Sequence, residues 1–225
     1  MLYSISTNFM NADATAMGHK LLVIILLSVL MMPSYAKTIL IIGDSLSAAY
    51  GLMHTDLGWV ALLQKRLVNQ RLPYQVVNAS VSGATTSNGI NQLLVSLKSV
   101  HPDIIIIELG ANDGLRGLPL MNMQKNLERM ILVAQQKNAR VLLLATLLPP
   151  NYGAHYLTQF NQIYQTLAAQ YKVALVPMFL DKVAGHTNLM QTDGLHPNAK
   201  AQTQILNNVW PALLMLIKAQ DIQVD

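Results

Sequence analysis

Cysteine is absent from the 225 residues, which excludes a disulfide framework, a thiolate metal site and a thiol for lipid attachment. Charge is sparse as well. Only 12% of residues are charged while 52% are hydrophobic, a balance that suits one sizeable core and excludes a disordered or charged-tail protein. The net charge of +4 is spread over Lys65-Arg66, Lys98, Lys125, Arg140 and Lys218. Without a basic stripe the chain offers no nucleic-acid footprint, although transient contact with an anionic lipid surface remains compatible with its charge. Aromatics are few, with two Trp and three Phe, which argues against an open sugar-binding cleft. Also missing are a Gly-x-Ser-x-Gly elbow, a phosphate-binding Gly-x-x-x-x-Gly-Lys loop and a His-Glu-x-x-His zinc helix.

The first 36 residues differ in character from the rest. His19-Lys20 precede an apolar run over 21–32 that only Ser28 interrupts, and Ser34-Tyr35-Ala36 ends with small residues at the two positions a signal peptidase reads. The run is short for a bilayer span. Cleavage is expected near Ala36, with residues 37–225 forming one exported domain, periplasmic or secreted. Met17 lies just before the basic pair and is a candidate start, which would make 1–16 an upstream extension.

Beyond the leader, short apolar runs alternate with longer amphipathic ones, the pattern of a parallel sheet covered by helices. Strands are expected over 38–42, 74–78, 103–109, 140–147 and 174–176, and helices over 58–69, 86–100, 121–138, 155–171 and 198–219. Residues 104–107 and 141–144 are unbroken aliphatic runs, as central strands buried on both faces require. The expected architecture is α/β, three layers in the order α/β/α, around a five-stranded parallel sheet.

In such sheets functional groups gather beyond the carboxyl ends of the strands, and the polar clusters fall there. Asp44-Ser45 follows the first strand, Ser80-Val81-Ser82-Gly83 the second and Gly110-Ala111-Asn112-Asp113 the third. Taken singly, Ser45 reads as a helix cap, Gly83 as a turn residue and Asn112 as a loop residue. Together with Asp193-Gly194-Leu195-His196-Pro197 they read as a catalytic set. Ser45 is a weak nucleophile that needs a base, His196 supplies it, and Asp193 orients the imidazole. Attack on an acyl carbonyl also needs preset donors for the oxyanion. The backbone N–H groups of Ser45 and Gly83 and the Asn112 amide fit that need. His54, His101, His155 and His186 show no metal-ligand spacing.

These blocks resemble the GDSL hydrolases of the SGNH superfamily, whose Ser, Gly, Asn and His correspond to Ser45, Gly83, Asn112 and His196. The stretches Asn78-Ala79-Ser80, Gly114-Leu115-Arg116-Gly117 and Pro150-Asn151-Tyr152-Gly153 are similar to the periplasmic thioesterase, lysophospholipase and arylesterase branch. The resemblance implies a flavodoxin-like sheet in the order 2-1-3-4-5, no metal or other cofactor, and hydrolysis of acyl esters, thioesters or lysophospholipids through an acyl-serine intermediate. It also implies that the loop 114–118 moves over bound acyl chains, with Leu115 and Leu118 contacting substrate, while Tyr152 is placed at the pocket rim. Two positions depart from the branch: Ala111 where Gly is frequent, and Ala84 where Asp is frequent. A carbohydrate O-acetyl esterase of the same family is the alternative enzymatic reading, and a binding protein that kept the fold without activity is the non-enzymatic one.

Overall fold

The computed structural model describes residues 36–221. The expected leader lies, apart from Ala36, outside the described residues. Five strands form one sheet: β1 (Lys37–Gly43), β2 (Tyr74–Asn78), β3 (Ile104–Glu108), β4 (Arg140–Leu144) and β5 (Ala174–Val176). All neighbours are parallel and the order is β2-β1-β3-β4-β5. The aliphatic runs 104–107 and 141–144 therefore lie inside the sheet, flanked on both edges.

Strand side chains alternate between faces, so each unbroken run feeds two separate cores. Leu40, Ile42, Ile105, Ile107, Val141 and Leu143 pack on one side, where helices α2 (Thr86–Ser96), α4 (Leu120–Gln136) and α5 (Ala154–Tyr171) contribute Leu93, Leu127 and Phe160. Ile39, Ile41, Ile104, Ile106, Leu142 and Leu144 pack on the other, against Trp59 and Leu63 of α1 (Trp59–Asn69) and Val209 and Leu213 of α6 (Gln202–Asp221). The result is the three-layer arrangement expected. Among the described residues no helix is long and apolar enough to cross a membrane.

Two departures from expectation shape the site. The expected strand 140–147 pairs in register with β5 only to Leu144, and Ala145 adds one last pair of backbone bonds, donating to Val176 O and accepting from Phe179 N–H, both at 2.9 Å. Residues 146–150 then leave the sheet toward Pro149-Pro150. The segment after Gly110, expected as a loop, forms a short helix α3 (Ala111–Leu115). Gly110 makes this turn possible: its φ is 120°, and a Cβ there would lie 2.2 Å from the Tyr164 hydroxyl.

Candidate active site

β1 ends at Gly43 and the chain turns tightly, with Ala48 N–H donating to Asp44 O at 2.9 Å and Tyr50 N–H to Ser45 O at 3.1 Å. The Asp44 carboxyl accepts from Leu46 N–H at 3.0 Å, an Asx turn that shapes the backbone around Ser45. This turn puts Ser45 Oγ 2.9 Å from His196 Nε2, although 151 positions separate the two residues.

His196 sits on the loop that leads into α6. Its Nδ1 lies 2.6 Å from Asp193 Oδ2. Asp193 Oδ1 also accepts from Leu195 N–H at 2.9 Å and from His196 N–H at 3.0 Å, so the carboxylate is fixed by its own loop. These bonds, led by the His196 N–H, hold the Asp193 carboxyl down at about 2. A carboxylate accepts only, so Nδ1 carries the ring proton and Nε2 presents its lone pair to Ser45. Gln191 ties the two segments together, its side-chain amide donating to Tyr50 O at 2.8 Å and to Pro197 O at 3.1 Å. The Tyr50 ring packs against the imidazole, with centroids 4.6 Å apart.

Asn112, on α3, directs its amide Nδ2 to Asp44 Oδ2 and to Ala84 O, both at 3.1 Å. Both amide hydrogens are thus engaged, and a bound oxyanion would have to take one of them. Burial pushes the Asp44 carboxyl up to about 6, against the opposing pull of Leu46 N–H and Asn112. Gly83 has φ 77°, suited to glycine, and its carbonyl accepts from Arg116 Nη2 at 2.9 Å. Next to it, the buried Asp113 carboxylate caps α2 by accepting from Thr86 N–H at 2.8 Å and the Thr86 hydroxyl at 2.6 Å.

A cavity of about 470 Å³ opens over Ser45, Asn112 and His196, and its walls are largely apolar, with Leu46, Leu115, Leu147, Leu148, Leu180 and Met190 among them. Three residues considered from the sequence are absent from the cavity wall. Gly83 is not part of the cavity wall. Leu118 also lies outside it, 38% exposed, because its N–H folds back to Asp113 O at 2.9 Å and turns the chain outward. Tyr152 acts from behind: its hydroxyl donates to Leu115 O at 2.7 Å and props the end of α3. The wall residues Leu147, Leu148, Leu180, Ala184 and Gly185 carry no catalytic signature in the sequence, so sequence reasoning did not single them out. Among the described residues no three His, Asp or Glu side chains converge as a metal-ligand set.

A serine, histidine and aspartate in hydrogen-bonded series at the carboxyl ends of parallel strands is the arrangement of a serine hydrolase, and comparison with known proteins gives the family. The GDSL-like Lipase/Acylhydrolase family matches residues 41–203, and the chain belongs to this family. It is 50% identical over 182 residues to "Esterase TesA" of Pseudomonas aeruginosa, covering 81% of this chain and 90% of that protein. It is 41% identical over 167 residues to "Thioesterase 1/protease 1/lysophospholipase L1" of Escherichia coli, covering 74% of this chain and 78% of the other. A crystal structure of the psychrotrophic esterase EstA from Pseudoalteromonas, inhibited by monoethylphosphonate, superposes with a TM-score of 0.76 at 39% identity, covering 81% of this chain and 99% of that one. The chain is an acyl ester hydrolase.

Proposed function

We propose that the protein is an exported serine esterase that cleaves medium to long acyl esters, thioesters and lysophospholipids, with Ser45 as nucleophile, His196 as base and Asp193 as its orienting carboxylate. The observation that carries this reading is the continuous Asp193–His196–Ser45 hydrogen-bond series opening onto an apolar cavity of about 470 Å³. Neutral His196 takes the serine proton as Oγ attacks the acyl carbonyl, and Asp193 stabilises the imidazolium that forms. The Ser45 N–H and the Asn112 amide receive the negative charge on the carbonyl oxygen, with the Gly83 N–H as third donor. Collapse of the tetrahedral intermediate breaks the bond to the leaving alcohol or thiol, which takes the proton back from His196. Water, deprotonated by the same histidine, then releases the acid and restores Ser45.

The relatives named thioesterase, lysophospholipase and esterase support the substrate range. The apolar walls favour acyl chains over the acetyl alternative, since an acetyl group would leave most of the cavity unfilled. Exposed Leu147 and Leu195 on the cavity wall, together with Tyr50 beside His196, suit brief contact with a lipid surface. The pattern of residues 19–36 supports export.

A chain-length series tests the reading. Each methylene that enters the cavity contributes up to ~0.8 kcal/mol, so kcat/KM should climb from two carbons upward until the cavity is filled. Replacing Leu115 and Leu147 together by Ser should flatten the climb while leaving acetyl ester turnover nearly unchanged. A wild-type profile that peaks at acetyl and falls at once would overturn the acyl-chain reading in favour of deacetylation.

A further inference from the structure

Glu108 closes β3, a strand otherwise made of four isoleucines, and it is fully buried. It pairs in register with Gly43, directly before the turn that carries Ser45. A single carboxyl oxygen, Oε2, accepts from Asp44 N–H at 3.3 Å and from the Ser47 hydroxyl at 2.7 Å. That oxygen therefore grips the chain one residue before and two residues after Ser45. From the opposite side, at the end of β2, the Asn78 side-chain amide donates to Ser47 O at 2.9 Å. The other Glu108 oxygen, Oε1, has no hydrogen-bond partner among the described residues.

We propose that Glu108 is a positioning residue for hydrolysis, fixing from the end of β3 the turn that presents Ser45 to His196. The proposal rests on the reading of Ser45 as nucleophile. A carboxylate with one bare oxygen in an apolar core is costly, and the neighbouring Asp44 carboxyl adds like charge. Burial and Asp44 together push the Glu108 carboxyl well above its ordinary range. Oε2 accepts both bonds whether or not the carboxyl is charged. Beside it, the two Asp44 carboxyl oxygens accept from Leu46 N–H and Asn112 Nδ2. What the turn needs from position 108 is an acceptor at a fixed reach, which a neutral amide supplies and a shorter side chain does not.

The test compares Glu108→Gln, Glu108→Asp, Glu108→Ala and Ser47→Ala, each with active sites titrated by a fluorophosphonate so that kcat is expressed per reactive serine, and Ser45→Ala, assayed per mole of folded protein. Glu108→Gln should stay within about threefold of wild type, while Glu108→Ala and Glu108→Asp should lose about tenfold or more in kcat with KM nearly unchanged, the cost of a misplaced nucleophile. Ser47→Ala removes one of the two gripping bonds and should fall between them. If Glu108→Ala does not fold, Glu108→Gln and Ser47→Ala decide: a damaged Glu108→Gln beside an unaffected Ser47→Ala overturns the proposal. An unchanged kcat per site in Glu108→Ala overturns it equally. Turnover by Ser45→Ala would refute the nucleophile itself, whereas an inert Ser45→Ala beside a normal Glu108→Ala would refute only the role of Glu108.

Discussion

Asp44 and Asp193 both lie within reach of the Ser45–His196 pair, yet their surroundings push the two carboxyls in opposite directions. Asp44 is fully buried at the end of β1, and burial raises it to about 6. Asp193 sits on a loop with 39% of its side chain exposed, and the His196 and Leu195 N–H groups help hold it at about 2. Placing a dependable negative charge beside the imidazole is easier where local N–H donors fix it at the surface than where the apolar core must accept it. The buried carboxyls of Asp44 and Glu108 shape the turn and orient an amide. The exposed one supplies charge. Scaffold and electrostatics are divided between two loops that meet only when the chain folds.

The sharpest way to break this division is Asp193→Asn, which keeps the size of the side chain and removes its charge. The amide can donate to the imidazole, favouring the tautomer that cannot accept the serine proton. A loss in kcat of about 10³ to 10⁴ is expected, with KM little changed. Steady-state kinetics on one acyl ester will show it. A loss under about tenfold would mean that solvent replaces the carboxylate, and would move the electrostatic weight to Asp44.

Asn112 comes next because it belongs to the buried half and is the proposed side-chain donor to the reacting oxygen. Its amide already serves Asp44 and Ala84, so it is held in place before substrate arrives. Asn112→Ala should lower kcat by roughly 10²-fold with a smaller change in KM, since the bond strengthens as charge develops. A raised KM with unchanged kcat would place Asn112 in ground-state binding instead.

The two halves were unequally legible in the sequence. Asp193-Gly194-Leu195-His196 lies within four residues, and the functional spacing is local, so the chemistry could be read directly. Both central strands followed from aliphatic runs whose period needs no tertiary knowledge, whereas the sheet order came only from the family resemblance. Glu108 was missed as a site residue, although an acid closing a run of four isoleucines is a visible conflict between local pattern and burial. Its partners, Asp44 and Ser47, lie more than 60 positions away, and only the register of β1 on β3 reveals them. The cavity wall from 146 to 150 was hidden for another reason. Leu147 reads as a continuation of β4, and where the pairing ends, at Ala145, is set by the neighbouring segment from Val176 to Phe179. Leu118 and Tyr152 show the converse limit, since proximity in sequence to Asn112 or to a proline turn does not fix which way a side chain faces, and neither lines the cavity without bound substrate.

The smallest effect separates the two aspartates by stability. A carboxyl lowered on folding stabilises the native state above its ordinary value of 3.8 and loses that contribution as pH falls through about 2, which is the case for Asp193. A carboxyl raised on folding contributes fully below 3.8 and loses the contribution as pH rises through about 6, which is the case for Asp44. The stability of wild type relative to Asp44→Asn should therefore decrease between about pH 4 and pH 7, by on the order of 1 to 2 kcal/mol. Relative to Asp193→Asn it should stay level over that range and decrease only below about pH 4, by an amount that solvent screening keeps small. Urea midpoints of the three proteins across that range give the comparison, and the pH dependence of the difference is independent of any constant cost of the amide. A wild-type advantage over Asp44→Asn that grew from pH 4 to pH 7 would mean that the donors around Asp44 outweigh its burial, and that the buried half of the site carries charge as readily as the exposed one.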